Sequence, residues 1–237
     1  MFQSIRIVGQ GRVGTAFSAR LRERGHRLVD NDAELVLLCV PDSAIADVAR
    51  SIEVGPWIAH TSGAASLTAL TPHIKRFGLH PLQSIVLGRG PEQLDGAWGA
   101  VTGESEAATA RADWLARELG LRPFPIRDDL RALYHAGAAT ASNYLATVHG
   151  AAVRMFERSG APPEALLPLI QRVIDNDFEL TGPIARGDWQ TIEAHLSAIR
   201  QHAPELEPLY RALVAETQRQ HRSQTEPNTH AIKRAAR

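Results

Sequence analysis

Six residues constrain this chain more than any others: Gly9-Gln10-Gly11-Arg12-Val13-Gly14, a G-x-G-x-x-G lying between two segments of different periodicity. Residues 4–9 alternate as a β-branched strand does, whereas residues 13–24 place Val13, Ala16, Phe17 and Leu21 on one helical stripe. Gly9 permits a tight turn, Gly11 lets backbone approach a pyrophosphate, and Gly14 lets helix and strand pack closely, with the helix N-terminus facing the phosphates. The pattern therefore predicts a dinucleotide held at Gly9, Gly11, Val13 and Gly14, against the plainer reading of a strand-to-helix turn with no ligand. Arg12 either reaches a phosphate or is solvated beside the turn.

The remaining pattern is α/β. Short apolar runs at 27–29, 35–40, 57–61, 77–79, 98–102 and 122–126 alternate with helical or Gly/Pro-rich pieces, the rhythm of a doubly wound parallel sheet. After residue 128 the periodicity is helical, over 129–157, 163–178, 188–201 and 204–220. The expected organisation is a nucleotide-binding domain over 1–127, an all-helical domain over 128–220, and a disordered polar tail over 221–237. The 26 basic and 26 acidic side chains cancel, so no global field recruits nucleic acid or an anionic membrane, and a small molecule is the expected partner. The one cysteine, Cys39, sits in an apolar run and reads as a core residue, which excludes disulfide and zinc frameworks. Met1-Phe2-Gln3-Ser4 leads straight into the strand pattern with no signal-peptide signature, so a cytoplasmic address is expected.

In open α/β sheets ligands sit beyond the carboxyl ends of the strands. Three loops fall there: Val40-Pro41-Asp42-Ser43, His60-Thr61-Ser62-Gly63 and Leu79-His80-Pro81-Leu82-Gln83-Ser84. Val40, Pro41, Thr61 and Ser62 are candidate cofactor contacts and His80 a candidate substrate contact; alternatively Asp42, Thr61 and Ser62 only cap helices. One usual part is missing. Residues 25–32 run almost at once into the strand at 35–40, leaving no room for the helix that normally follows the second strand. Asp30 either meets a ribose or is a turn residue, so the residues alone do not choose between NAD and NADP.

Residues 132–153 contain no Asp, Glu, Lys or Arg but carry His, Thr, Ser and Asn, the expectation being a buried helix that does not cross a membrane. At 100° per residue, Leu133, Gly137, Thr140, Tyr144, Val148, Ala151 and Met155 form one stripe, with the Thr140 hydroxyl able to bond back one turn. The opposite face holds His135, Ala139, Ser142, Asn143, Ala146 and His149, suited to lining a cleft or a subunit contact. His135 can give a proton to a carbonyl oxygen as hydride arrives, and Asn143 can orient the substrate; both could equally be hydrogen-bonded core residues. Tyr134 is a minor candidate. Downstream, Asp188 is an expected N-cap, and Arg186 either grips a substrate carboxylate or pairs with Asp188 or Glu193.

These motifs in this order, Gly9-x-Gly11-x-x-Gly14, His60-Thr61-Ser62-Gly63, His80-Pro81-Leu82, Tyr134-His135-Ala136 with Ala141-Ser142-Asn143-Tyr144-Leu145, and Thr181-Gly182-Pro183 with Arg186-Gly187-Asp188, resemble Rossmann-like proteins with a DUF2520 helical domain. That resemblance covers nearly all of residues 4–215. The layout is similar to ketopantoate reductases, pyrroline-5-carboxylate reductases and β-hydroxyacid dehydrogenases of the 6-phosphogluconate-dehydrogenase-like group. It implies an NAD(P)-dependent oxidoreductase acting on a small keto acid, ketopantoate first, with NADP slightly favoured and a homodimer formed through the helical domain. His135 and Asn143 are then catalytic, and His80, Ser142, Thr181 and Arg186 bind substrate. Two departures stand out: His135 occupies the place of a lysine in the ketopantoate and β-hydroxyacid enzymes, and the region after Val29 is short. The alternative is a non-catalytic nucleotide-binding or interaction protein with a degenerate nucleotide domain.

Overall fold

The computed structural model describes residues 2–225. The chain divides into two compact units, one ending at Tyr144 and one starting at Leu145. The first is a seven-stranded sheet with flanking helices. Its strands are β1 (Ser4–Val8), β2 (Arg27–Leu28), β3 (Leu35–Leu38), β4 (Trp57–His60), β5 (Arg76–Leu82), β6 (Trp98–Gly103) and β7 (Arg122–Pro125), in the order β2-β1-β3-β4-β5-β6-β7. The helices are α1 (Arg12–Glu23), α2 (Ile45–Ser51), α3 (Glu106–Glu118) and α4 (Arg131–Ala139).

The α/β class and the seven strands agree with the sequence, with two refinements. First, β6 pairs antiparallel with β5 and parallel with β7, so the last two strands run against the first five. Residues 83–97 return from β5 to β6 through a single 3₁₀ turn and contain no crossover helix, which a parallel pair would need. Second, β5 extends to Leu82, so His80 and Pro81 lie inside a strand and not in a following loop. Its pairing with β4 ends at His60↔Gly78, leaving a free edge beside Pro81, where a residue without an N–H is tolerated.

Alternation along the central strands explains why the sheet is covered twice. On β3, Leu35 and Leu37 join Phe17 and Leu21 of α1 and Ala112 and Leu115 of α3, while Val36 and Leu38 join Ile45 and Ala49 of α2 on the other face. Burial on both faces produces the uninterrupted apolar run of that segment. Each such leucine contributes about 1.5–3 kcal/mol of burial free energy. Between β2 and β3 no helix forms, as the spacing predicts. β1 therefore has β2 on one side and β3 on the other, and the chain switches direction across the sheet at the carboxyl end of β1, where Gly9 begins the turn.

The sheet ends at Pro125, near the boundary expected at 127, but the first compact unit runs on through α4 to Tyr144, and Arg131, the first residue of α4, is completely buried. A π-helical turn (Thr140–Tyr144) then interrupts the long helix expected over 129–157. That turn spends an extra residue, so the 100° projection loses phase beyond Thr140. The expected burial does not hold either. Leu133 and Tyr144 are 72% and 61% exposed, and of the predicted apolar stripe only Ala151 is buried. The Thr140 hydroxyl does donate to the Ala136 carbonyl at 2.8 Å.

The second unit holds α5 (Leu145–Ser159), α6 (Leu166–Asp175), α7 (Trp189–His202) and α8 (Glu207–Thr225). Its core is small: Ala151, Ile199, Ala203 and Leu206, flanked by Met155, Leu209 and Tyr210. Asp188 caps α7 as expected, its Oδ1 accepting from the Thr191 N–H at 3.1 Å. The tail expected from 221 begins as the end of α8, and residues 226–237 lie outside the described residues. Among the described residues no helix is long and apolar enough to cross a membrane.

Candidate active site

The glycine turn forms as its spacing requires. Gly9 has φ +102°, and a Cβ there would collide with the Cys39 carbonyl oxygen, while one at Gly14 would collide with the Gly9 carbonyl. Nothing stands within 4 Å of the Cβ position of Gly11. Gly11 is also the N-cap of α1 and supplies no side-chain acceptor, so the first-turn N–H groups have none from the cap residue. Two glycines are thus required by the protein's own packing, and the third leaves an open surface at a helix N-terminus. That donor set fits a pyrophosphate. Val40 adjoins the turn, its Cγ1 3.2 Å from the Gly9 Cβ position, and Pro41 starts the following 3₁₀ turn.

Thr61 and Ser62 are nearly buried and their hydroxyls are used internally. Thr61 donates to the Leu38 carbonyl at 3.3 Å; Ser62 donates to Asp42 Oδ2 at 2.7 Å and accepts from the Ala64 and Ala65 N–H groups. Both side chains brace the loop after β4.

The residues that the loop supports form an aromatic and imidazole cluster. His80 Nδ1 and the Tyr134 hydroxyl are hydrogen-bonded at 2.8 Å, and the His135 ring lies edge-on to His80 with centroids 5.5 Å apart. Phe124 closes the other side of Tyr134. Gly63 makes the packing possible: a Cβ there would overlap His135 Cδ2 and lie 3.0 Å from His80 Nε2. Burial, then the neighbouring His135 and Arg131, pushes His80 down to about 4, and burial pushes the Tyr134 phenol up to about 12. At neutral pH the pair is therefore a neutral imidazole and a neutral phenol joined by one hydrogen bond.

A cleft of about 810 Å³ joins this cluster to the glycine turn; Arg12 and Val13 line one part, and His80, Tyr134, His135, Ser142 and Asn143 line the rest. The Ser142 hydroxyl donates to the Ala138 carbonyl at 2.8 Å, leaving its lone pairs free to accept. Of the sequence-based candidates, seven (Arg12, Val13, His80, Tyr134, His135, Ser142 and Asn143) share this cleft. Thr181 and Arg186 belong to the second unit, where the Arg186 guanidinium donates to the Thr181 carbonyl at 2.8 Å and, after the hydrogen bonds from Thr191, its charge helps hold the Asp188 carboxyl below its usual range. In the sequence Tyr134 carries little weight, since its partner lies 54 residues earlier, and neither Arg131 nor the packing role of Gly63 within its loop is marked. Only the position of Arg131 as the last charge before a chargeless stretch hinted at it.

Residues 97–217 match the family model described as a domain of unknown function, DUF2520. The chain belongs to the DUF2520 family. The DUF2520 segment runs from β6 into α8 and so contains Tyr134, His135, Ser142 and Asn143 but not the glycine turn. No curated protein matches the chain. Among solved structures, the chain is similar to a Bacteroides fragilis protein described as a candidate NADP oxidoreductase (20% identity, 92% of this chain and 98% of that one, TM-score 0.76). A Thermotoga maritima protein, TM1727, is 24% identical over 94% of this chain and all of its own, with TM-score 0.75. The 1-pyrroline-5-carboxylate reductase of Streptococcus pyogenes is 15% identical over 93% of this chain and 98% of its own, with TM-score 0.57. These likenesses establish that the DUF2520 chain shares their fold.

Proposed function

We propose that this protein is an NAD(P)-dependent oxidoreductase that reduces the carbonyl of a small keto acid. One observation carries the reading: the first residues of α1, Arg12 and Val13, which follow the open Gly11, and the His80–Tyr134–His135 cluster line a single cleft. The names of the structural neighbours, an NADP oxidoreductase and a pyrroline-5-carboxylate reductase, support the same class. Gly9, Gly11, Val13 and Gly14 would hold the pyrophosphate, with Arg12 beside it. A nicotinamide cofactor, when bound, supplies the hydride. His135 holds the proton that the carbonyl oxygen takes up, in the role imidazole most often fills near neutral pH. His80, kept neutral, accepts a hydrogen bond or donates one without competing as an acid, and Tyr134 fixes its ring. Ser142 and Asn143 orient the substrate from the π-helical turn, a distortion frequently found at functional sites. The Arg186 guanidinium gives one of its five N–H donors to the Thr181 carbonyl and keeps the others for a substrate carboxylate. Ketopantoate is the first substrate to assay.

Fluorescence titration with NADPH and NADH tests the cofactor half. Binding is expected, with a tenfold or greater loss in Gly11→Ala at unchanged melting temperature, because only a ligand would meet the new methyl group. No binding of either nucleotide at millimolar concentration rejects the reading. The two-residue β2 and the missing helix after it favour the second reading, a nucleotide-binding protein without turnover. Binding without reduction of any keto acid would select it.

We further propose a homodimer. On α6, Leu167, Leu169, Val173 and Ile174 are all exposed, as is Phe178 beyond it. Such a patch is unusual on a monomer.

A further inference from the structure

The group that organises the cluster does not line the cleft. Arg131 is completely buried, and its guanidinium spends its donors on two carbonyls of the 61–66 loop and one hydroxyl of β6. Nε donates to the Ala65 carbonyl at 2.8 Å, one Nη to the Thr102 hydroxyl at 2.7 Å, and the other to the Ser62 carbonyl. Thr102 passes the bond on to the Ile126 carbonyl at 3.0 Å. Room for the fork exists because residue 78 is glycine: a Cβ there would lie 2.9 Å from Nη1. The countercharges are Asp128 and Asp42, each of them also held in place. Asp128 accepts from the Ser66 hydroxyl and the Leu67 N–H, and Asp42 from the Ser62 hydroxyl.

A buried guanidinium of this kind is expensive unless its geometry is used. Its place in the helix shows the use. Arg131, Tyr134 and His135 stand at i, i+3 and i+4, so they share one face of α4. Arg131 grips Ser62 and Ala65, on either side of the Gly63 against which the His135 ring lies. A planar fork with three fixed acceptors admits one rotation of the helix. We propose that Arg131 is the positioning residue of the site: it sets the rotation of α4 on the 61–66 loop so that Tyr134 reaches His80 and His135 faces the cleft. The effect on turnover rests on the oxidoreductase reading; the positioning itself does not.

The experiment uses the full chain with Arg131→Lys, Arg131→Met and Thr102→Val, and reads position and turnover separately. Lysine keeps the charge but not the fork, so a change in Arg131→Lys is not a loss of Coulomb energy. Thr102→Val removes one acceptor and keeps the side-chain shape, which preserves a foldable variant if the arginine substitutions fail to fold. Position is read from ¹⁵N resonances of the His80 ring, which report its hydrogen bond to Tyr134. The groups that face His80 are Tyr134, His135, Arg131 and Asp42, and all but residue 131 are unchanged in these variants. The expected result is loss of the hydrogen-bonded Nδ1 signal in both arginine variants and its partial loss in Thr102→Val. NADPH affinity should stay within about twofold of wild type, kcat should fall roughly 10²-fold in Arg131→Lys with a smaller change in KM, and Thr102→Val should lie between. A folded Arg131→Lys or Thr102→Val with the wild-type His80 spectrum overturns the proposal, whatever happens to turnover. A wild-type protein that reduces nothing rejects the oxidoreductase reading alone, and the spectra still decide the positioning.

Discussion

Acidifying the protein from pH 7 to pH 5 should destabilise it through two histidines. His60 is completely buried, and neither of its ring nitrogens has a hydrogen-bond partner. Burial, reinforced by the Arg131 guanidinium, pushes it from 6.5 down to about 4, and burial pushes half-buried His80 to about the same value. The folded pKa of each lies below the unfolded one, so between pH 4 and 6.5 the unfolded chain binds more protons and stability rises with pH. Each histidine then contributes about 1.4 kcal/mol per pH unit inside that window, or about 2 kcal/mol between pH 7 and pH 5. Urea denaturation at fixed protein concentration and a series of pH values measures the slope. His60→Leu removes one of the two protons; because His80 does not owe its own shift to His60, the slope should fall by about half. A flat stability profile from pH 5 to 6.5, or an equal slope in wild type and His60→Leu, would refute the reasoning.

Gly63→Ala places a methyl group into the His135 ring and close to His80, so a loss of about 1–3 kcal/mol in thermal or urea stability is expected, with nucleotide titrations unchanged. Tyr134→Phe keeps the contact with Phe124 but deletes the bond to His80; it should cost about 1 kcal/mol and slow ketopantoate reduction less than His135→Ala, which should cost 10²-fold or more in kcat. Equal rates in wild type and His135→Ala would remove His135 from the chemistry. Light scattering should give twice the 25.8 kDa chain mass, and Leu169→Asp on the exposed face of α6 should halve it; a wild-type mass of one chain rejects the dimer.

Local patterns in the sequence determined a good deal about this protein. Alternation and apolar runs marked all seven strands, because a sheet covered on both faces writes its burial directly into residues such as Leu35 to Leu38. The glycine spacing marked the turn, since Gly9 and Gly14 are fixed by contacts within a strand-turn-helix unit. Asp188 as a cap and the Thr140 back-bond were legible for the same reason: each partner lies within a turn or two. The tertiary structure decided what depended on distant partners. The reversal of β6 and β7 follows from how residues 83–97 return, which no periodicity records. A π-helical turn shifted the phase of the long helix, so the stripe drawn from 100° spacing failed, and a chargeless segment proved exposed where burial was expected. In the sequence Arg131 is only the last charge before a chargeless segment; the meeting of Ser62, Ala65, Thr102 and the space over Gly78 makes it the buried centre on which Tyr134 and His135 are set, because its three acceptors lie 29 to 69 residues away along the chain.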